Sequence, residues 1–224
     1  MAYRRNPLVT GEIYHVFNRS IAKEPIFHKY YDYQRFYDTT DFYRFNYVGF
    51  RFSHFNRLNI SDKTNFLRDL YKDDKKNVEI LAFSYMPNHY HYLLRQMRDN
   101  GIRIFISKIQ NSYAKYYDTK FERTGSLFQT TFKAVRIESE EQLLHVSRYI
   151  HLNPITSFLL KNISELEKYS WTSFPDYLSI KQNRFVTRNL ISSYFKTPEE
   201  LVEFTSNQID YQRMLNQIKH LIIE

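Results

Sequence analysis

The 224-residue sequence has no cysteine, four glycines and a single tryptophan. Without cysteine there is no thiol nucleophile, no disulfide and no cysteine-ligated zinc site. Gly11, Gly49, Gly101 and Gly125 lie too far apart to write a G-x-G-x-x-G turn or a P-loop, so a glycine cradle for nucleotide phosphates is excluded. No stretch approaches the roughly 18 uninterrupted apolar residues of a membrane span, and the first twenty residues hold no apolar run of signal-peptide length. The expected setting is therefore soluble, reducing and cytoplasmic, with no membrane partner.

The excesses are aromatic rings and positive charge. The chain carries 20 Tyr and 19 Phe, and 32 Lys/Arg against 24 Asp/Glu give a formal charge of +8. With a pI near 9.4, polyanions are the first class of partner to consider. The charge is concentrated: residues 95–136 hold nine Lys/Arg against Asp99, Asp118 and Glu122, a net +6. Arg95, Arg103, Lys108, Lys115, Arg123, Lys133 and Arg136 are the candidate nucleic-acid contacts, interleaved with Tyr113, Tyr116, Tyr117 and Phe121. Basic side chains track phosphates and aromatic faces stack unpaired bases, which favours single strands over regular duplex. A solvated helix face beside a tyrosine-lined core would read the same way.

Hydrophobic period and breakers divide the chain. Glu12 to Arg19 alternates as a strand, with Ile13, His15 and Phe17 on one face and Tyr14 and Val16 on the other. A helix is expected from about Asp32, on Tyr33, Phe36, Tyr37 and Thr40, and a loop with a short helix near Lys63 to Tyr71. Val78 to Tyr85, a Met86-Pro87-Asn88 turn and His89 to Arg95 read as a hairpin. Helix returns at Ile102, on Phe105, Ile106, Ile109, Tyr113, Tyr116 and Tyr117, and a fourth strand lies within Leu127 to Ile137. Ser139 with Gln142 opens a further helix, predicted to stop at Asn153 because Pro154 disfavours helical geometry in the residue before it.

This β-α-β-β-α-β order is the ferredoxin-like split βαβ of the α+β class, an antiparallel sheet with helices on one face. Residues 1–177 are read as one domain. Residues 178–224 are read as a helical appendage, with Thr197-Pro198-Glu199-Glu200 as a helix start and Leu215, Ile218 and Ile222 as later apolar positions.

Two histidines flank Tyr90. On a strand, side chains two apart share a face, so the imidazoles of His89 and His91 converge and can form half of a divalent metal site. Hydrogen-bonded neighbours in a tyrosine-rich strand would also satisfy that pattern. On the helix from Ser139, residues four apart lie along one ridge, which lines up His145, Tyr149 and Asn153 beside the core positions Leu143, Val146 and Ile150. Asn153 offers a carbonyl oxygen as a further ligand, and equally suits the cap of a helix ending before proline. His151 falls on another face and reads as structural. His15, on the first strand, is the outside candidate to approach the site, with packing the favoured role.

Three ordered motifs carry a family resemblance: Phe83-Ser84-Tyr85-Met86-Pro87-Asn88-His89-Tyr90-His91-Tyr92-Leu93-Leu94, then Arg123-Thr124-Gly125-Ser126-Leu127-Phe128-Gln129, then Ser147-Arg148-Tyr149-Ile150-His151-Leu152-Asn153-Pro154. Together they resemble the HUH single-tyrosine transposases, and within these the REP-associated tyrosine transposases. The early Tyr14 to Arg19 strand and Tyr169-Ser170-Trp171-Thr172-Ser173 extend the likeness over about residues 10 to 177. The resemblance implies His89 and His91 as metal ligands, Asn153 as the third, Tyr149 as nucleophile, and Mg²⁺ or Mn²⁺ as the metal. It further implies nicking and rejoining of single-stranded or hairpin DNA through a 5′-phosphotyrosine link. Relatives occur as monomers or dimers, so a homodimer stays among the expectations. Where many relatives place Gly and a basic residue after the Gln129 position, this chain has Thr130 and Thr131, so a DNA contact there is altered.

Two other readings stand beside this one. One is a non-catalytic, sequence-selective nucleic-acid-binding protein on the same fold. The other is a metal-dependent phosphodiesterase that uses water in place of Tyr149.

Overall fold

The computed structural model describes residues 7–46, 49–180, 183 and 185–209. Four strands, β1 (Ile13–Arg19), β2 (Val78–Met86), β3 (His89–Gln96) and β4 (Lys133–Arg136), form one sheet in the order β2-β3-β1-β4. Every neighbouring pair is antiparallel. The split βαβ arises because β1 and β2 are joined through α1 (Tyr30–Tyr43), α2 (Phe52–Phe55) and α3 (Ile60–Asp73), while β3 inserts between them. The expected hairpin is present, with Pro87 and Asn88 alone between its strands.

α1 and α4 (Gly101–Phe121) cover one face of the sheet, as the ferredoxin-like reading requires. Into that core β1 sends Tyr14 and Val16, and β3 sends Tyr90, Tyr92 and Leu94, against Phe36, Phe42, Phe105 and Tyr113. α4 starts at Gly101 because nothing larger fits: a Cβ there would lie 2.1 Å from the Asn77 carbonyl oxygen.

α5 (Glu140–Thr156) is the addition to that plan. It lies on the opposite face, on Leu81, Ala82 and Leu93, through Leu143, Ile150, Leu152 and Ile155. A register shift between Ile80 and Ala82 makes this packing continuous: the extra residue turns both Leu81 and Ala82 toward α5, while Ile80 and Phe83 face the other core.

α5 begins as its sequence indicates, with the Gln142 N–H donating to Ser139 Oγ at 3.1 Å and the Glu138 N–H to Gln142 Oε1 at 2.7 Å. Its end differs from expectation. Pro154 lies inside the helix, which runs on to Thr156. The ring removes one helical hydrogen bond. Burial of Leu152 and Ile155 outweighs that loss, and the Asn153 carbonyl accepts from the Ser157 N–H at 3.0 Å and Ser157 Oγ at 2.8 Å, which closes the final turn.

Beyond Thr156 come α6 (Ile163–Leu166), α7 (Phe174–Tyr177), α8 (Asn189–Ser192) and α9 (Pro198–Ser206). The Thr197 side chain caps α9 as anticipated. Leu215, Ile218 and Ile222 lie outside the described residues. Phe185 is buried in the first core, and Ile191 and Leu201 in the second. The outer edge of β2 is covered from both sides of this region, by Trp171 O accepting from Tyr85 N at 2.8 Å and by Thr187 N donating to Ile80 O at 2.9 Å, which leaves less open edge for unwanted pairing. Among the described residues no helix is long and apolar enough to cross a membrane.

Candidate active site

The site lies between the α5 face of the sheet and α5 itself. Alternation on β3 turns His89 and His91 the same way, and their rings meet edge-on with centroids 5.1 Å apart. β1 pairs antiparallel with β3, so Phe17 lies across from His91, His15 across from Leu93, and Arg19 across from His89. The His91 ring is stacked by Phe17 at 5.4 Å and by His15 at 5.1 Å.

Tyr149 arrives from α5. Its ring stands perpendicular to His91 at 5.6 Å and edge-on to His15 at 5.8 Å. One turn later, Asn153 Nδ2 donates to the Tyr149 carbonyl at 3.1 Å. His91 and Asn153 are buried, and His89 and Tyr149 are half-buried.

Hydrogen bonds orient the two rings. His89 Nδ1 lies 2.6 Å from Asn88 Oδ1, an acceptor, so Nδ1 carries the proton and Nε2 keeps a lone pair. His15 Nε2 lies 2.9 Å from His91 Nδ1, a contact that orients the His91 ring. Asn153, donating through its amide nitrogen, retains its carbonyl oxygen. The imidazoles of His89 and His91 with the Asn153 oxygen are donor types that could hold a divalent cation, better matched to Mn²⁺ than to oxygen-preferring Mg²⁺. Among the described residues no group of three or more His, Cys, Asp or Glu could hold a metal ion.

Electrostatics set the resting protonation. Burial pulls His15 and His89 down to about 4, with Arg19 lowering His89 further, so both imidazoles are neutral near pH 7. Burial raises Tyr149 above the ordinary phenol value, opposed by the hydrogen bond from the Asn153 side chain and by the charge of Arg19. Arg19 is the residue that sequence reasoning missed. The signal was available, since it continues the Ile13, His15, Phe17 face of the first strand by one more step of two.

Other predicted residues are distributed differently. His145, in line with Tyr149 and Asn153 on spacing, turns instead to Arg148 Nη2 at 2.5 Å and to Glu141 at 3.5 Å. His151 is a core residue, its Nε2 2.9 Å from Ser173 Oγ. The seven basic candidates do not form one surface. Lys133 lies beside the site, 5.9 Å from the Phe17 ring centre. Arg95 pairs with Glu79 at 3.0 Å, Arg136 with Glu12 at 2.9 Å and Arg123 with Asp118 at 3.6 Å. Arg103 is exposed on α4, and Lys108 and Lys115 line a groove over α4 on the far side of the sheet from Tyr149.

Residues 56–153 match the family model described as transposase IS200 like. That span includes both histidines, Tyr149 and Asn153. No curated protein matches the sequence significantly. Among solved structures, a REP-associated tyrosine transposase bound to a REP hairpin superimposes with a TM-score of 0.52 at 14% identity, covering 84% of this chain and 98% of its own, a likeness of fold. A second, assigned as a transposase of Deinococcus radiodurans R1, covers 67% of this chain and 95% of its own at 16% identity, and its TM-score of 0.34 is too low to add to the argument. The chain thus carries, over residues 56–153, a segment similar to the IS200-like transposases, within the fold of a REP-associated tyrosine transposase.

Proposed function

We propose that this chain is a transposase that nicks and rejoins single-stranded DNA at hairpin-forming repeats, with Tyr149 as nucleophile and residues 1–177 as the catalytic unit. The observation that carries the reading is the approach of Tyr149, from a capped helix, to within ring contact of His91 on the neighbouring strand. A phenol with a raised pKa is a weak nucleophile at neutral pH and needs positive charge nearby as its proton leaves. Arg19 supplies part of that charge.

In the proposed step a Tyr149 oxygen–phosphorus bond forms, the bond from phosphorus to the 3′ oxygen breaks, the phenol proton departs, and the 3′ oxygen leaves as a hydroxyl after taking up a proton. The covalent link retains phosphodiester energy, so rejoining by the reverse attack needs no nucleotide triphosphate. His89, His91 and Asn153 would hold Mg²⁺ or Mn²⁺. When bound, such an ion polarises the scissile phosphate as a Lewis acid. His15 and Asn88 fix the ring orientations of the two histidines.

The reading of the substrate as a DNA hairpin draws on the fold neighbour seen with a REP hairpin. The test is incubation with Mn²⁺ and labelled single-stranded hairpin oligonucleotides, followed by denaturing electrophoresis. Wild-type protein should carry label covalently, and Tyr149→Phe should abolish that adduct completely. Cleavage that persists in Tyr149→Phe would mean that water is the nucleophile. Binding with no adduct in any wild-type reaction would leave a non-catalytic DNA-binding protein.

A further inference from the structure

On the face of the molecule away from Tyr149, a groove of about 750 Å³ runs between α4 and the segment around α2. Arg35, Arg51, Arg57, Lys108, Lys115 and Lys120 line it, with no carboxylate among the lining residues. Lys120 is neutralised by Asp32 at 2.5 Å. The other five make no ion pair within 4 Å among the described residues. Asp38 acts on Arg35 from outside the groove, but no carboxylate lines the groove beside the other cations, and burial together with Arg98 lowers Lys108 from its ordinary value.

Arg35 is the most telling of the five. Its guanidinium is clamped between the rings of Phe52 and Tyr116, at 4.4 and 5.4 Å, and its buried Nε has no hydrogen-bond partner. A guanidinium held between two rings on the groove wall is preorganised to meet an oxyanion.

We infer that this groove is a second DNA site, which holds the phosphodiester backbone of a single strand lying outside the segment presented to Tyr149. That the polyanion is DNA rests on the function proposed above; the cationic groove does not. Its extent argues against a compact anion. From Lys108 to Thr119 the α4 wall spans about 16 Å, room for about four phosphates of a stacked strand. Its concavity argues against duplex, which is read by a helix or ribbon entering the DNA groove, whereas a cationic trough with aromatic walls suits a single strand.

The experiment uses the full chain in the Tyr149→Phe background, so that binding is read without chemistry. Anisotropy of a labelled oligothymidylate is followed against salt for this protein and for Arg51→Glu/Arg57→Glu. Both positions are exposed, and the milder Arg51→Gln/Arg57→Gln pair guards against misfolding. Charge reversal should weaken binding about tenfold and lower the salt slope by about 1.4, the value for two lost single-strand phosphate contacts. In the Tyr149 background the same pair should leave adduct formation on a short hairpin unchanged. Unchanged affinity and slope in both pairs would overturn the proposal, as would displacement of the oligonucleotide by inorganic triphosphate at equal concentration, or better by duplex. Adduct failure with intact groove-dependent binding would instead sink the nicking reading and leave the groove.

Discussion

On the face covered by α1 and α4, tyrosine hydroxyls are used up by structure: Tyr92 and Tyr85 bond each other at 3.1 Å and share Thr40, Tyr113 donates to the Ile26 carbonyl at 2.5 Å, and Gln110 donates to Tyr90 at 2.7 Å. On the face covered by α5 the core is mostly aliphatic, and the rings around Tyr149 are His15 and His91. Burial raises the phenol pKa on both faces, but only at Tyr149 does it meet the combined opposition of Arg19 and an asparagine side chain. One residue type thus performs two jobs, and neighbours decide which. A hydroxyl satisfied by a fixed partner in a dry core is scaffold. A hydroxyl set beside imidazoles, an asparagine and the charge of Arg19 is placed for chemistry.

The largest expected effect tests whether the aromatic face is only scaffold. Phe36 is fully buried and packs at 5.1 to 5.3 Å against Phe27, Tyr85, Tyr90 and Tyr113. Phe36→Ala should cost about 3–5 kcal/mol by denaturant unfolding, from lost burial and the cavity left behind. Protein that stays folded at low temperature should still form the Tyr149 adduct. A selective loss of adduct in folded Phe36→Ala would break the division between faces.

The next effect separates the faces by pH. His151, on α5 and fully enclosed by Ser173, Phe174 and Tyr177, is pulled down to about 3 by burial. Its folded pKa lies below the unfolded value, so its contribution is fully present above about pH 6.5 and is lost as pH falls toward 3. Lowering pH from 7 to 5 should cost about 2 kcal/mol through this residue alone, since the unfolded chain takes up a proton that the folded one refuses. Urea unfolding of wild type and His151→Gln at both pH values checks it, with the pH-dependent difference shrinking in the variant. His15 and His89, also lowered, act in the same direction.

Much of this was legible in the chain. The period-two pattern of Val78 to Arg95 and the breaker between its halves define the hairpin, which places His89 and His91 on one face before any coordinates are known. Ser139 and Gln142 mark the start of the helix that carries Tyr149. What stayed hidden depended on tertiary packing. The bulge at Leu81 looks like an ordinary step in an apolar run, and the face chosen by α5 follows from it. Pro154 reads as a stop until Leu152 and Ile155 are seen buried. The groove joins Arg35, Arg51 and Arg57 to α4 across more than 50 residues of chain, a distance at which no local spacing operates.

The smallest effect sharpens the comparison most directly, because it makes on one face the same chemical change that is expected to abolish activity on the other. Tyr92 is fully buried, with its hydroxyl 2.7 Å from Thr40 Oγ1 and 3.1 Å from Tyr85 Oη. In Tyr92→Phe, Thr40 still donates to the Phe36 carbonyl at 2.9 Å and accepts from Tyr85 at 3.0 Å. Tyr85 loses a donor but keeps its own bond. With most groups still paired, the cost should be about 1 kcal/mol, the net worth of a neutral buried hydrogen bond. Adduct yield should match wild type. Removal of one phenolic oxygen would then trade a small loss of stability on the α1/α4 face against a complete loss of chemistry on the α5 face. A Tyr92→Phe protein that folds but forms no adduct would show that the hydroxyl network under the sheet, and not the contacts of Tyr149 alone, holds His91 in place.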